Sequence, residues 1–157
     1  VVNTVDSAES GAPFTVLETL REKGILDDGS YNRLTLALQE AFTNSLEHGN
    51  LELDSTWKDD FTRDGNDRFS EIKRSRLSEK PYQTILLRIS SLFDGGRLQI
   101  SIKDDGPGFS FADIGVPMSG EEAASYGRGL ALICNAFDEV TFFDGGSRIT
   151  MVKYFRG

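Results

Sequence analysis

An α+β two-layer sandwich is the fold that this sequence predicts, on three observations. Apolar residues recur at helical spacing early in the chain, alternating strands joined by glycine turns gather late, and no regular β-α-β alternation links them. Residues 1–13, with Ser7, Ser10, Gly11 and Pro13, read as a linker or weak edge strand. A short helix is predicted from Phe14 to Lys23, ended by Gly24. Asp28 or Ser30 then caps a longer helix running to His48, stopped by Gly49-Asn50. Residues 51–83 read as a charged insertion with one or two helices, in which Trp57, Phe61, Phe69, Ile72 and Leu77 are scattered among acids and bases. A solvated helix is the simplest expectation for such a stretch, with a lid-side prop or a dimer contact as the other options.

Past Pro81 the pattern turns to strands. Thr84–Ile89 and the alternating Leu98, Ile100 and Ile102 predict a hairpin through Asp94-Gly95-Gly96. A helix follows from about Arg128 to Phe137, with Leu130, Ile133, Cys134 and Phe137 at i, i+3, i+4 and i+7. A second hairpin pairs Val140–Phe143 with Ile149–Phe155 around Asp144-Gly-Gly-Ser147. Residues 14–157 are thus expected to form one domain, and 157 residues suffice to bury roughly 70% of the unfolded chain's surface.

Composition narrows the function. Cys134 is the only cysteine and His48 the only histidine, which excludes an intrachain disulfide and a Cys/His zinc site and fits a reducing, cytoplasmic setting. No apolar run approaches the roughly 20 residues that a membrane span needs. The net charge of −8, from 25 acidic against 17 basic residues, argues against nucleic acid and for a protein partner. The chain opens Val1-Val2-Asn3 without methionine, which suggests a piece cut from a longer protein.

Three motifs carry chemistry. In Glu40-Ala-Phe-Thr-Asn44-Ser-Leu-Glu-His48-Gly49, the residues Glu40, Asn44 and His48 are spaced by four and share one helical stripe. That stripe borders a broad apolar face of Leu34, Ala37, Leu38, Ala41, Phe42 and Leu46, as the wall of a cavity would. A carboxylate beside an amide oxygen suits phosphoryl transfer, with Asn44 as a ligand of Mg2+ and Glu40 as the base that accepts a hydroxyl proton. His48, in the last turn, reads as a structural hydrogen-bonder. The second motif, Asp104-Asp105-Gly106-Pro107-Gly108-Phe109, follows directly on a strand, where Gly106 and Gly108 let the backbone turn sharply or approach a planar ligand. In the third, Gly127-Arg128-Gly129-Leu130, the amino end of a helix offers N–H groups to phosphate and Arg128 adds a charged contact. Taken singly, the three are also a solvated helix edge, a tight turn and a helix cap. In this order, each on the expected element, they point to a nucleotide site, and no P-loop signature competes with them.

Together the motifs resemble the N, G1 and G2 boxes of the GHKL (Bergerat-fold) ATPases, and the tail Gly127–Val140 resembles that of the anti-sigma-factor serine kinases. The resemblance covers roughly residues 14–155. It implies a mixed sheet with helices on one face, ATP held beneath a flexible lid at Ser110–Tyr126, and Mg2+ as the accompanying ion. It also implies that Asp104 accepts a hydrogen bond from the adenine amino group and that Thr150 reaches the adenine.

By the same resemblance the activity is a Mg-ATP-dependent protein-serine kinase that phosphorylates a STAS-domain anti-sigma antagonist in a partner-switching pathway, with a sigma factor as a further partner. The rival is a nucleotide-regulated binding module that sequesters a regulator without useful catalysis. The ATP-binding part of a histidine kinase would need a separate phospho-acceptor domain. A homodimer and fusion to receiver or phosphatase domains are compatible with the family. Two departures stand out: residues 51–83 are longer than the usual loop, and Ser110–Tyr126 contains no lysine or arginine. Asp105 beside Asp104 would weaken anion binding unless it points to solvent.

Overall fold

The computed structural model describes residues 2–3, 14–53, 67–79, 84–92, 96–108, 115, 117–125 and 127–155. Trp57, Phe61 and the glycine turn at 94–95 lie outside them, as do 4–13, 109–114, 116 and 126. The first helix, α1 (Thr15–Glu22), buries Leu17 and Leu20 and gives way to Gly24 at φ +70°. In α2 (Asp28–Asn44) the predicted apolar stripe is buried at Leu34, Ala37, Leu38, Ala41 and Phe42. Its cap is Asp27, where Asp28 or Ser30 was expected. Ser30 is instead the donor, since its N–H reaches Oδ1 of Asp27 at 2.8 Å and its hydroxyl reaches Oδ2 at 2.8 Å.

The long helix does not run to His48 as an α-helix. After Asn44 the chain opens into a π-helical turn, Ser45–Asn50, so the α-helical spacing that relates Glu40 to Asn44 does not extend to His48. His48 Nδ1 instead donates to the Leu53 carbonyl at 2.5 Å, the structural part expected of it.

Within the insertion, α3 (Arg68–Glu79) is capped by Asp67, whose carboxylate accepts from the Phe69 N–H at 3.0 Å and the Ser70 hydroxyl at 2.6 Å. It is not a solvated helix throughout. Phe69 is buried, and Ile72 and Leu77 pack against the core.

The sheet holds β1 (Val2–Asn3), β2 (Thr84–Leu92), β3 (Arg97–Lys103), β4 (Glu139–Phe143) and β5 (Arg148–Tyr154) in the spatial order β1-β2-β3-β5-β4. Among the described residues every pairing of these strands is antiparallel, which corrects the expected mixed sheet. The reason is topological: β3 and β4 run the same way, but β5 lies between them and pairs with both.

One face of this sheet carries the core. Ile100, Met151 and Val140 stand in one cross-strand row and Ile102, Ile149 and Phe142 in the next, all buried. Buried residues of α2 and of α5 (Arg128–Ala136), among them Leu38, Leu130 and Ile133, complete that cluster, so the helices form a layer over one face. The other face shows the polar row Ser101, Thr150 and Thr141.

The segment expected to be a flexible lid is docked where it is described. The N–H groups of Gly115 and Met118 donate to the carbonyls of Phe142 and Val140, each at 2.8 Å, and so cover the outer edge of β4. The short α4 (Gly120–Ser125) then packs on α5 and buries Ala123. Among the described residues no helix is long and apolar enough to cross a membrane.

Candidate functional site

Asp104 leaves the end of β3 in phase with Leu98, Ile100 and Ile102, so it faces the helical layer and is only 3% exposed. Its own N–H donates to the Ser147 carbonyl at 2.9 Å, and its Oδ1 accepts from the Gly106 N–H at 2.9 Å. Burial is the main influence on the carboxyl and raises its pKa to about 6; the Gly106 N–H opposes that shift and the charge of Asp105 adds to it. Asp105 itself is exposed, the condition under which its charge does least harm to a bound anion.

The π-helical turn is the other wall. A Cβ on Gly49 would lie 2.3 Å from Cγ of Asp104, so no side chain fits between them. Asn50 is fully buried, and its Oδ1 accepts the Asp105 N–H at 2.8 Å. Gly106 meets the same turn, since a Cβ there would stand 2.2 Å from the Gly49 carbonyl oxygen. Gly108, at φ +79°, crosses the β4–β5 turn, where a Cβ would stand 2.1 Å from the Gly145 carbonyl oxygen. Both glycines therefore serve chain-on-chain packing that shapes the loop, a use the sequence did not reveal.

A second cluster forms where α2 meets α5. Glu40 and Asn44 are half-buried, one turn apart, and face the start of α5. A Cβ on Gly129 would lie 2.7 Å from Oε2 of Glu40 and 3.8 Å from Nδ2 of Asn44. Gly127, at φ 118° and ψ 170°, turns the chain into α5 and brings no side-chain cap of its own to the first N–H groups of the helix. Arg128 is exposed and borders a shallow groove with Arg33, Leu36 and Leu132 on the outer side of the two helices.

The two clusters sit on one continuous helical rod.

Thr150 is not brought to this site. Its neighbours Ile149 and Met151 face the core, so Thr150 faces the other side of the sheet, where its hydroxyl meets that of Ser101 at 2.9 Å. Ser147, three residues earlier, is the residue of that hairpin that touches Asp104. Three further residues build this wall beyond the candidates that the motifs single out: Gly49 and Asn50, which the sequence offers as a helix stop, and Glu47, which is 6% exposed. The signal lay in the run Glu47-His-Gly-Asn50, too polar for the buried end of an ordinary helix.

No curated protein sequence and no solved structure gives a significant match to the chain. Residues 13–153 match the family described as the histidine kinase-like ATPase domain, a span that holds both clusters, the π-helical turn and all but the last residue of the β3–β5–β4 sheet. With helices over one sheet face, a buried aspartate at the end of a central strand and a carboxylate–amide pair beside a glycine-led helix, the chain belongs to the histidine kinase-like ATPase domain family, of the GHKL type.

Proposed function

We propose that the domain is a Mg-ATP-dependent protein-serine kinase of the anti-sigma-factor type, phosphorylating a STAS-domain antagonist and so switching the partner of a sigma factor. One observation carries this reading: Oε2 of Glu40 stands against Gly129 at the amino end of α5, with Asn44 one turn away. The donor set fits the ligand. One amide oxygen with one nearby carboxylate suits an ion that keeps most of its waters.

When bound, Mg-ATP supplies the phosphoryl group and neutralises charge in transfer. Asp104 would accept the adenine amino group, a contact that selects the base because its loss leaves a buried carboxylate unpaired. Asn44 would hold the metal, and the N–H groups after Gly127, with Arg128, would hold phosphate. Glu40 takes the serine hydroxyl proton at Oε2. Phosphate on the partner adds about two negative charges to a docking surface and so releases it from an acidic protein. The family supplies the substrate in this reading, and the residues supply the ATP chemistry.

The test is transfer of labelled γ-phosphate to a STAS-domain protein, with ATP affinity read by calorimetry. Glu40→Ala is expected to slow transfer by about 10²–10⁴-fold while ATP still binds. Equal transfer by wild type and variant would remove Glu40 from the chemistry, and no transfer by the wild type would overturn the kinase reading.

A binding module without catalysis is favoured by one observation, the absence of lysine and arginine from Ser110–Tyr126. Under that reading the wild type binds ATP and partner but transfers no phosphate.

A further inference from the structure

The charged insertion reaches the nucleotide cluster through contacts that the proposed chemistry does not use. On α3, Lys73 places its Nζ 2.9 Å from Oε1 of Glu47, an acid in the π-helical turn whose side chain is only 7% exposed. One turn further, Nη1 of Arg76 donates to the carbonyls of both Leu51 and Glu52. Those carbonyls lie just past the π-helical turn, where Glu52 holds φ +50°, an unfavourable conformation for a residue with a side chain. The turn is closed on itself by Leu51 N–H to Leu46 O at 2.9 Å and Leu53 N–H to Glu47 O at 2.8 Å.

What this knot presents inward is Gly49 against Asp104 and Asn50 on the Asp105 N–H. Each link from α3 to the adenine-side wall is therefore a direct contact: Lys73 to Glu47, Arg76 to Leu51 and Glu52, and the turn to the Asp104 loop. Phe69, buried beneath the helix, fixes α3 against the core so that the two cations pull on a seated element.

We propose that α3 is a brace for the nucleotide pocket and that Lys73 and Arg76 are positioning residues, acting on bound adenine through the π-helical turn. This rests on the reading of Asp104 as the adenine contact. Their removal loosens the wall against which Asp104 is held and weakens nucleotide binding. It leaves Glu40 and Asn44, farther back on α2, in place.

The experiment uses Lys73→Ala, Arg76→Ala and the conservative Lys73→Arg, with Lys153→Ala on β5 as a control that removes an ion pair to Asp138. ATP binding is titrated by calorimetry, and amide hydrogen exchange is followed at Asp105 and Leu53 in the nucleotide-free protein. Lys73→Ala and Arg76→Ala are expected to weaken ATP binding by about three- to thirty-fold. They should also speed exchange at both amides, whose acceptors belong to the turn. Lys73→Arg restores wild-type behaviour, Lys153→Ala matches it, and transfer at saturating ATP changes by no more than about two-fold. Unchanged exchange in a cooperatively melting Arg76→Ala protein overturns the brace, and faster exchange with unchanged ATP affinity overturns its effect on the pocket. A wild-type protein that binds no ATP sinks the nucleotide reading instead, and the exchange data then decide the brace alone.

Discussion

Burial of the Asp104 carboxylate ties its protonation both to folding and to ligand. Its pKa stands near 6 in the folded domain against 3.8 for an exposed aspartate, so the native state takes up a proton over that interval. The stabilisation this group contributes is full below about pH 4 and is lost as pH rises through about 6. Near neutral pH the deficit is about 3 kcal/mol. Asp104→Asn is therefore expected to stabilise the nucleotide-free domain near neutral pH by about 1–2 kcal/mol and to do little near pH 4, as urea unfolding at the two pH values would show. Nucleotide should respond the opposite way. An amine donor favours the ionised carboxylate, so calorimetric ATP affinity is expected to climb through about pH 6 and level off above it, and to fall in Asp104→Asn. Cys134, whose thiol burial pushes up to about 11, should alkylate slowly in the native protein and at the ordinary rate once unfolded.

Among the elements, two glycines make a controlled comparison of backbone against space. Gly127 enters α5 at φ +118° with nothing near its missing Cβ, whereas Gly108 combines φ +79° with the Gly145 carbonyl at 2.1 Å. Gly127→Ala is expected to cost about 1 kcal/mol, from conformation alone. Gly108→Ala should cost about 3 kcal/mol or more, because the loop must also move off the β4–β5 turn. Equal losses in urea unfolding would mean that the close approach carries no energy. Elements whose identity is local were legible in the sequence: the apolar stripe of α2, both hairpins, and α5 with its glycine-led start. Those decided by distant contacts were not. The π-helical turn exists where Gly49 and Asn50 must meet the loop of Asp104 and Asp105, and nothing within residues 45–50 reports on that loop. Thr150 stands apart from the site for a simpler reason, since the phase set by Ile149 and Met151 turns it away from the helices. The motifs single out Glu40, Asn44 and Asp104 as candidates, but the partners that hold them are visible only in the fold.

For the molecule as a whole, one core supports both ends of the site. Ile133, with no exposed surface, sits in the layer between α5 and the sheet. Ile133→Ala is expected to cost about 2–5 kcal/mol. It should shift the unfolding curves seen by circular dichroism and by loss of ATP binding together, and a separation of the two curves would show that the site melts apart from the core. The antiparallel order also sets a schedule. Among the described strands β5 is made last, yet it lies inside the sheet, between β3 and β4. While the chain emerges from the ribosome, β3 and β4 have nothing to pair with on their facing edges until Arg148–Tyr154 arrive, and the core row through Met151 stays open to water. A translational stop or a slow codon shortly before Arg148 would leave a species with its helices made, its sheet split and two adhesive strand edges exposed.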